Sequence, residues 1–598
     1  MRFFVQTNRW RPWVPLVFAV AVMVGDATFA VRPIMGYFEE TSIWPREPFV
    51  RSVAAYLVFA TTLDLLAWRF SSAARRHVLL RLVFISAVGA ALTLVAGEIR
   101  SLLIFLVVLA FGVVALGRFT WPIAAVGAVV VLWPLFVRPA PPDPPEIAAI
   151  PSPRPPDLVA IVLDTVRTER TSAYGHTRDT TPHLRELSAR GVRFDRASGT
   201  GSWSLPNHAS LFTGLTTERH GAHDAHNYLD AEHPTLAALL AERGYETVGW
   251  SGNPWLGHGT GMARGFHAMH EPWRTTHVKW FMMAYRVYNG LFAPGRDKGG
   301  ADTLVGLRRW LAERDPERPY FLFVNLMEPH GPYQDVPRAM RRRFTDPGLS
   351  WRELESAGMR TWEATQNGAP LAEADFPLLL DLYDGAIATG DMYLGEILAL
   401  VGEEPIVAVL SDHGEFTGEH TLYGHPGTLY EPTLRIPLVM AGGPLPRGVV
   451  MDGLVSIADL MPTFLRSAGV APPPGLDGID LNPMLAGAAH PDRTITAEQF
   501  AEKGGQASGW RKSRPDVWNL VDGTSQAVLR GTTKRIVVDD GTDIAFDLAR
   551  DPGEEQPLPG GSVGLVARVP DAPAEGEAPQ LDEGQRRALE ALGYAGER

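Results

Sequence analysis

Three apolar runs in this chain end on groups able to hold a cation or move a proton. Leu158–Leu163 stops on Asp164-Thr165, and Ile406–Leu410 stops on Ser411-Asp412-His413. Tyr320–Leu326 leads into Met327-Glu328-Pro329-His330. A short β-branched run of this kind reads as a buried parallel strand. In open α/β sheets, ligands sit at the carboxyl ends of such strands. Asp164, Asp412 and His413 should therefore converge at one sheet edge, where two carboxylates and an imidazole suit a divalent cation. Taken singly, each is equally a cap or turn residue. A fourth group lies in Ser202-Trp203-Ser204-Leu205-Pro206-Asn207-His208, just before the helical-looking Ala209–Thr213. This places Ser204 at or near a helix N-terminus, where backbone N–H groups and the helix dipole favour an anion or an oxygen nucleophile.

The elements needed to position these groups are legible from Asp157 onward. Strands are expected at Tyr245–Trp250, Tyr320–Leu326, Ile406–Leu410 and Ile436–Met440. Helices are expected at Thr235–Arg243, Thr303–Arg314 and Phe376–Val401. Strands alternating with helices predict an α/β fold with a mostly parallel central sheet. Residues 334–375 read as a charged, irregular insertion or lid. Beyond Leu481 short β-rich pieces, Gln526–Leu529 and Arg535–Asp539, predict a small C-terminal α+β subdomain. Residues 553–580 are rich in Pro, Gly and Glu and read as a flexible loop; Leu581–Leu592 reads as a last helix. His220, His223 and His226 cluster in one segment, which reads as a solvated loop rather than a second metal site.

Residues 1–138 are of a different character. Apolar spans at Pro12–Val31, Phe49–Trp68, Val78–Ala96, Ser101–Gly117 and Phe119–Val137 each have the length needed to cross a bilayer. They predict a transmembrane bundle of about five helices. Arginines at 2, 9 and 11, at 69, 75, 76 and 81, and at 118 fall on one side, which places the N-terminus in the cytoplasm and the rest of the chain outside it. The expected location is thus the inner cell membrane, with an extracytoplasmic catalytic domain. Asp26 and Asp64 lie inside spans and read as paired or near span ends. Residues 139–156 are proline-dense and read as an extended linker. Residues 157–480 would form the catalytic domain and 481–598 its C-terminal completion. The net charge of −12 argues against a nucleic-acid partner. The absence of cysteine excludes disulfides, thiolate metal sites and a cysteine nucleophile.

The ordered motifs resemble those of the sulfatase family, within the alkaline phosphatase superfamily. They are the strand ending on Asp164, Thr180-Thr181-Pro182-His183-Leu184, Gly191-Val-Arg-Phe194, Ser204–Leu215, Pro329–Tyr333, Ser411–Glu415, Leu429–Leu438, Phe546–Pro552 and Leu592–Tyr594. The resemblance implies the family's sandwich fold and the cleavage of a sulfate or phosphate ester. It implies one divalent ion, Ca²⁺, Mn²⁺ or Zn²⁺, on Asp164, Asp412 and His413. Thr165 stands where sulfatases usually carry a second Asp and would be a weak ligand. Fewer carboxylates shift the preference toward Zn²⁺ or Mn²⁺. Ser204 falls on the nucleophile position, which sulfatases oxidise to formylglycine. Asn207 and His208 replace the family's Ser/Ala and Arg, so an unmodified Ser204 alkoxide is the alternative. His330 matches a substrate-facing histidine. His330, His208 and His425 are expected as catalytic or proton-donating groups, and Asn207 and Asn253 as contacts to substrate oxygens. Two other functions fit the same residues. One is transfer of a phosphoethanolamine or phosphoglycerol group onto an envelope lipid or glycan; the other is a degenerate, non-catalytic binding protein.

Overall fold

The computed structural model describes residues 148–273, 297–501 and 521–571, apart from positions 225, 334, 369, 370 and 522, together with 585, 586, 588 and 589. The five predicted spans lie outside the described residues. Among the described residues no helix is long and apolar enough to cross a membrane.

In chain order the strands of the first part are β1 (Leu158–Leu163), β2 (Gly191–Ser198), β3 (Glu246–Ser251), β4 (Ala268–His270), β5 (Tyr320–Leu326) and β6 (Ile406–Leu410). A small hairpin of β7 (Phe416–Thr417) and β8 (Tyr423–Gly424) follows, then β9 (Arg435–Ala441) and β10 (Val449–Ser456). Eight of these form one sheet in the order β10-β2-β9-β6-β1-β5-β3-β4. Every pairing in it is parallel except those of β9, which runs against both β2 and β6. The expected, mostly parallel α/β sheet is present. Its register carries the site: Val162 pairs with Asn325 of β5 and Leu410 of β6, and Asn325 pairs with Ser251 of β3. Four strand ends therefore finish level with one another.

Both faces of the sheet are covered. Leu158, Ala160 and Val162 of β1 face one core; Val159, Ile161 and Leu163 face the other. The main helices are α1 (Pro182–Ala189), α2 (Ser204–Thr213), α3 (Leu236–Glu242), α4 (Gly300–Glu313), α5 (Trp351–Asn367), α6 (Phe376–Val401) and α7 (Leu460–Ser467). Apolar residues of α2, α3 and α7 fill the first core, and those of α1, α4 and α6 the second. Each fully buried aliphatic side chain contributes about 1.5–3 kcal/mol. Burial on two faces explains why β1, β5 and β6 read as continuous apolar runs rather than alternating ones.

Beyond β10, β11 (Thr494–Gln499), β12 (Ser525–Arg530), β13 (Thr533–Val538), β14 (Asp543–Asp547) and β15 (Leu558–Pro559) form an antiparallel meander. Its apolar side packs on Phe416, Leu422, Leu429, Tyr430 and Leu434. Part of the 553–580 stretch is ordered rather than loose, since it supplies β15 and a 3-10 turn at Gly560–Val563. The 334–375 insertion is not irregular either. It carries α5, opened by a capping box of Ser350 and Glu353. Leu354, Ala357, Thr361 and Ala364 of α5 are buried at helical spacing. At the other end, the predicted linker meets the domain: Arg318 donates to the carbonyls of Ala148 (2.7 Å) and Gly244 (3.0 Å).

One buried ion cluster ties the meander to the main body. Lys534 of β13 is fully buried, 2.7 Å from Glu554 and 3.0 Å from Glu431. Burial pushes the Glu554 carboxyl up to about 7, even with the Lys534 charge easing it. Lys534→Met takes the cation from the buried Glu554 and the partly buried Glu431, and is expected to destabilise the fold by about 3–5 kcal/mol at pH 8. Without the lysine, the folded Glu554 is harder still to ionise, so the deficit grows as pH rises and shrinks toward pH 5. Denaturant melts at both pH values measure it, and a pH-independent deficit contradicts this account.

Candidate active site

Asp164 follows β1 directly and is completely buried. Its Oδ2 accepts from the side-chain amides of Asn253 (3.0 Å) and Asn325 (2.9 Å), and its Oδ1 has no hydrogen-bond partner. Asp412, past the end of β6, is equally buried. Its Oδ1 accepts from the backbone N–H of Thr165 (3.1 Å) and His413 (3.0 Å), which leaves Oδ2 unbonded. The Nε2 of His413 lies 3.5 Å from that Oδ2. One ligand atom from each of Asp164, Asp412 and His413 falls within 4.8 Å of the others.

Thr165 sits at φ 60, a left-handed conformation that costs a β-branched residue about 1–3 kcal/mol. Its N–H is held by Asp412 and its carbonyl by the Tyr383 hydroxyl of α6 at 2.5 Å. Its Oγ1 is buried without a partner. Ser411 joins the two strand ends, accepting from the Val166 N–H and lying 2.8 Å from the Leu163 carbonyl and 2.7 Å from that of His413.

Electrostatics at this edge call for a cation. Burial, then the neighbouring Asp412 charge, raise the Asp164 carboxyl well above its usual range. Burial opposes ionisation of Asp412 too, but His413 and His208 hold it below its ordinary value. Three buried oxygens without partners, Asp164 Oδ1, Asp412 Oδ2 and Thr165 Oγ1, lie beside the His413 imidazole. Buried polar atoms are nearly always paired, so this donor set fits a divalent metal ion.

Ser204 opens α2 and is fully buried. Its Oγ lies 3.3 Å from His413 Nε2, which brings it against the carboxylate cluster. The preceding residue, Trp203, occupies the N-cap in extended conformation, so Ser204 is not the helix cap. The loop from Gly199 to Trp203 is set by Asn207. Its Oδ1 accepts from the N–H of Thr200 (2.7 Å) and Gly201 (3.2 Å), and its Nδ2 donates to the carbonyls of Gly201 and Trp203. The same loop is tied to the meander: Ser202 Oγ donates to Gln499 Oε1 of β11 at 2.5 Å, and Gln499 Nε2 donates to Asp224, which also accepts from the Trp203 indole.

His208 lies one turn along α2. Its Nδ1 donates to the Ser204 carbonyl (2.8 Å) and lies 3.6 Å from Asp412 Oδ2. His330 and His425 approach from the other side, with their Nε2 atoms 3.4 Å apart. The His425 ring sits 4.7 Å from that of His413. His330 Nδ1 donates to the Gly331 carbonyl at 2.6 Å. Burial, then the Lys298 charge, push the His330 imidazolium down to about 3, so the ring is neutral.

Ser204, His208, His330, His425, Asp164, Thr165, Asp412 and His413 thus lie together at one strand edge. Asn207 and Asn253 are nearby, but their amides are engaged with the protein itself, one with the loop backbone and the other with Asp164. His220 and His223, read from sequence as solvated, are buried: His220 Nε2 meets Ser210 Oγ at 3.0 Å, and His223 stacks on Phe500. Sequence reasoning gave no role to Ser411 or Glu415 and missed Asn325, Tyr383 and Lys298. Lys298 Nζ donates to the carbonyls of Glu328 and His330. Burial lowers its ammonium to about 8, while Asp335, Glu328, Glu415 and Asp164 ease the shift. Burial likewise pushes the Glu415 carboxyl up to about 8, with Tyr333, Lys298 and Arg167 easing it. Asn325 had a signal: it is the lone polar residue in an otherwise apolar strand.

Comparison with known proteins identifies the family. Residues 156–470, just over half of the chain, match the family model described as Sulfatase. Human arylsulfatase A is 27% identical over 473 residues, covering 70% of this chain and 86% of that protein. An N-acetylglucosamine-6-O-sulfatase of Bacteroides thetaiotaomicron is 22% identical over 410 residues, 55% of this chain and 71% of that one. The crystal structure of the phosphonate monoester hydrolase of Agrobacterium radiobacter superposes with a TM-score of 0.55 at 23% identity, covering 67% of this chain and 91% of that chain, and so shares the fold. With the family model spanning the strand edge that carries Asp164, Ser204 and Asp412, the chain belongs to the sulfatase family of the alkaline phosphatase superfamily and is a sulfuric ester hydrolase-like enzyme.

Proposed function

We propose that this enzyme cleaves a sulfate or phosphate monoester with Ser204 as nucleophile and one divalent metal ion as cofactor. The observation that carries the reading is the Ser204 hydroxyl, buried at the start of α2 and 3.3 Å from His413, beside buried carboxylate oxygens that lack partners. Asp164, Asp412 and His413 would hold the ion, with Thr165 Oγ1 as a neutral fourth ligand. Such an ion supplies positive charge against an ester oxyanion and lowers the pKa of a nearby hydroxyl.

The chain's own groups do the rest. Ser204 gives up its hydroxyl proton to solvent and its Oγ bonds to the sulfur or phosphorus as the bond to the leaving oxygen breaks, aided by the α2 N–H groups; water then attacks the same centre, releasing sulfate or phosphate and restoring the Ser204 hydroxyl. Asn207 holds the nucleophile loop, and Asn253 with Asn325 aims Asp164. His330 and His425 act as one unit. His330 donates through Nδ1 to Gly331 and is neutral, so the proton between the two Nε2 atoms resides on His425. An anionic ester bound beside the pair raises its basicity, so that it takes up one proton from solvent and passes it to the leaving oxygen. The apolar spans of 1–138 support an inner-membrane enzyme whose catalytic domain faces outward, toward an envelope glycan or lipid carrying the ester.

The test is turnover of 4-nitrophenyl sulfate and 4-nitrophenyl phosphate by the purified full chain, with mass spectrometry of the peptide holding position 204. Hydrolysis with an unmodified serine, or a phosphoryl adduct on it, supports the alkoxide. A loss of about two hydrogens at 204 assigns formylglycine chemistry instead. No turnover of either ester overturns the reading.

A further inference from the structure

The turn that presents His330 is short of donors. Glu328-Pro329-His330-Gly331-Pro332 carries two prolines, which have no N–H to give. The His330 N–H bonds to the Met327 carbonyl at 3.1 Å, and its ring Nδ1 bonds to the carbonyl of Gly331. A further grip comes from outside the turn. Lys298 Nζ donates to the carbonyl of Glu328 at 3.3 Å and to that of His330. These two carbonyls flank Pro329, whose ring fixes its own φ, so one ammonium group holds the peptide on each side. Glu328 answers in the other direction. Its Oε1 accepts from the N–H of Gly300, the first residue of α4, at 2.8 Å. Lys298 and Gly300 thus hold the turn by its backbone and by its side chain. A Cβ on Gly300 would fall 2.7 Å from that Oε1, so the approach depends on glycine. A Cβ on Gly252, next to Asn253, would fall 3.3 Å from the Lys298 carbonyl and 2.9 Å from the Met327 Cβ. The lysine's own backbone is therefore wedged just past the end of β3.

We propose that Lys298 is a positioning residue for His330, setting the angle at which the His330–His425 pair meets the leaving oxygen. The inference rests on the acid role proposed for that pair. The N–H of His330 is held by Met327 and its carbonyl by Lys298, so its backbone is pinned at both ends. With Nδ1 tied to Gly331, the Nε2 edge is left facing His425 at 3.4 Å. Proton transfer tolerates little misplacement, and an error of about 1 Å can cost about 100-fold. Among the described residues Nζ makes no hydrogen bond to Asp164, Asp412 or Ser204, so the lysine acts on the acid and not on the nucleophile. A merely structural lysine would slow every substrate alike. A positioning lysine slows those whose leaving oxygen needs a proton and spares those whose leaving group departs as an anion.

The test uses the full chain with 4-nitrophenyl and 4-methylphenyl esters of whichever anion the parent turns over. The two leaving groups are close in shape, but 4-nitrophenolate departs readily without a proton and the far more basic 4-methylphenolate does not. Lys298→Cys is expected to lower kcat/KM for the 4-methylphenyl ester by about 10- to 100-fold and for the 4-nitrophenyl ester by less than about threefold, with metal content unchanged. The chain has no cysteine of its own, so 2-bromoethylamine rebuilds a lysine-like ammonium at that one position. This alkylation should recover most of the loss, and capping the thiol with methyl methanethiosulfonate should not. On a His330→Ala background, Lys298→Cys should cost nothing more. Equal losses on both esters, no loss on the 4-methylphenyl ester, no recovery on alkylation, or a further loss on top of His330→Ala would overturn the proposal. Lys298→Arg keeps the charge and moves the donors outward, and serves where the cysteine form does not fold. It should show the same bias at a smaller size, and an unbiased loss there overturns the proposal too. A parent inactive on both esters, or a His330→Ala that slows both equally, overturns the function reading as well. A discriminating His330→Ala beside an indifferent Lys298→Cys overturns this inference alone.

Discussion

Ser204→Ala is expected to lower kcat by about 10,000-fold or more, with KM moving much less, because loss of a covalent nucleophile removes a transition-state role rather than substrate binding. The fold should tolerate the change. Ser204 is not the N-cap of α2, and alanine is a better helix former, so the melting temperature should stay within a few degrees. The contrast separates function from structure: a capping serine would cost stability and leave the chemistry intact. The hydroxyl's side-chain contact is with His413 at 3.3 Å. Steady-state kinetics and a thermal melt on the same preparation decide it. More than about one per cent of parental kcat would assign the attack to another group.

Removing the cation is the second large effect. Asp412→Asn keeps the shape of the site but gives up the charge that His413 and His208 stabilise, and is expected to lower activity by about 1,000-fold or more. Metal analysis should fall from one divalent ion per chain to a small fraction of that. Chelation of the parent should have the same effect, reversed by one of Mn²⁺, Zn²⁺ or Ca²⁺. It should also cost stability, since an ion present at a hundred times its Kd contributes about 2.7 kcal/mol to the folded state. Thr165 tunes the choice of ion. Thr165→Asp adds a hard anionic ligand where a neutral hydroxyl now sits, and should move the preference toward Ca²⁺ by about tenfold or more. A parent that binds no divalent ion, or keeps full activity after exhaustive dialysis against chelator, contradicts the cation reading.

Much of this site was legible because its residues follow uninterrupted apolar strands. A buried strand that stops on a carboxylate must do something with the charge, and β1 and β6 stop level with each other. The boundaries of α6 were equally plain, since nothing polar interrupts its core face for long. Asn207 and Asn253 were harder. An amide carries two donors and two acceptor sites, and which neighbours take them depends on loops and strands far away in sequence. Asn253 meets Asp164 across 89 positions. β2 was hidden by Arg193, Asp195 and Arg196, which a strand can carry where its side chains reach the rim. α5 was missed because most of its surface is polar. Only Leu354, Ala357, Thr361 and Ala364, read as a stripe, betray a helix.

The bond from Ser202 to Gln499 spans 297 positions. Chain synthesis proceeds at about 5–20 residues per second, so the loop bearing the nucleophile waits roughly 15–60 s for the strand that pins it. Asp412 and His413 arrive only in the last third of that interval, and throughout it the serine's loop lacks the brace to β11. Catalytic competence is thus a late event in the life of each molecule. A product cut short ahead of β11 would be born inert, whatever else of it had folded.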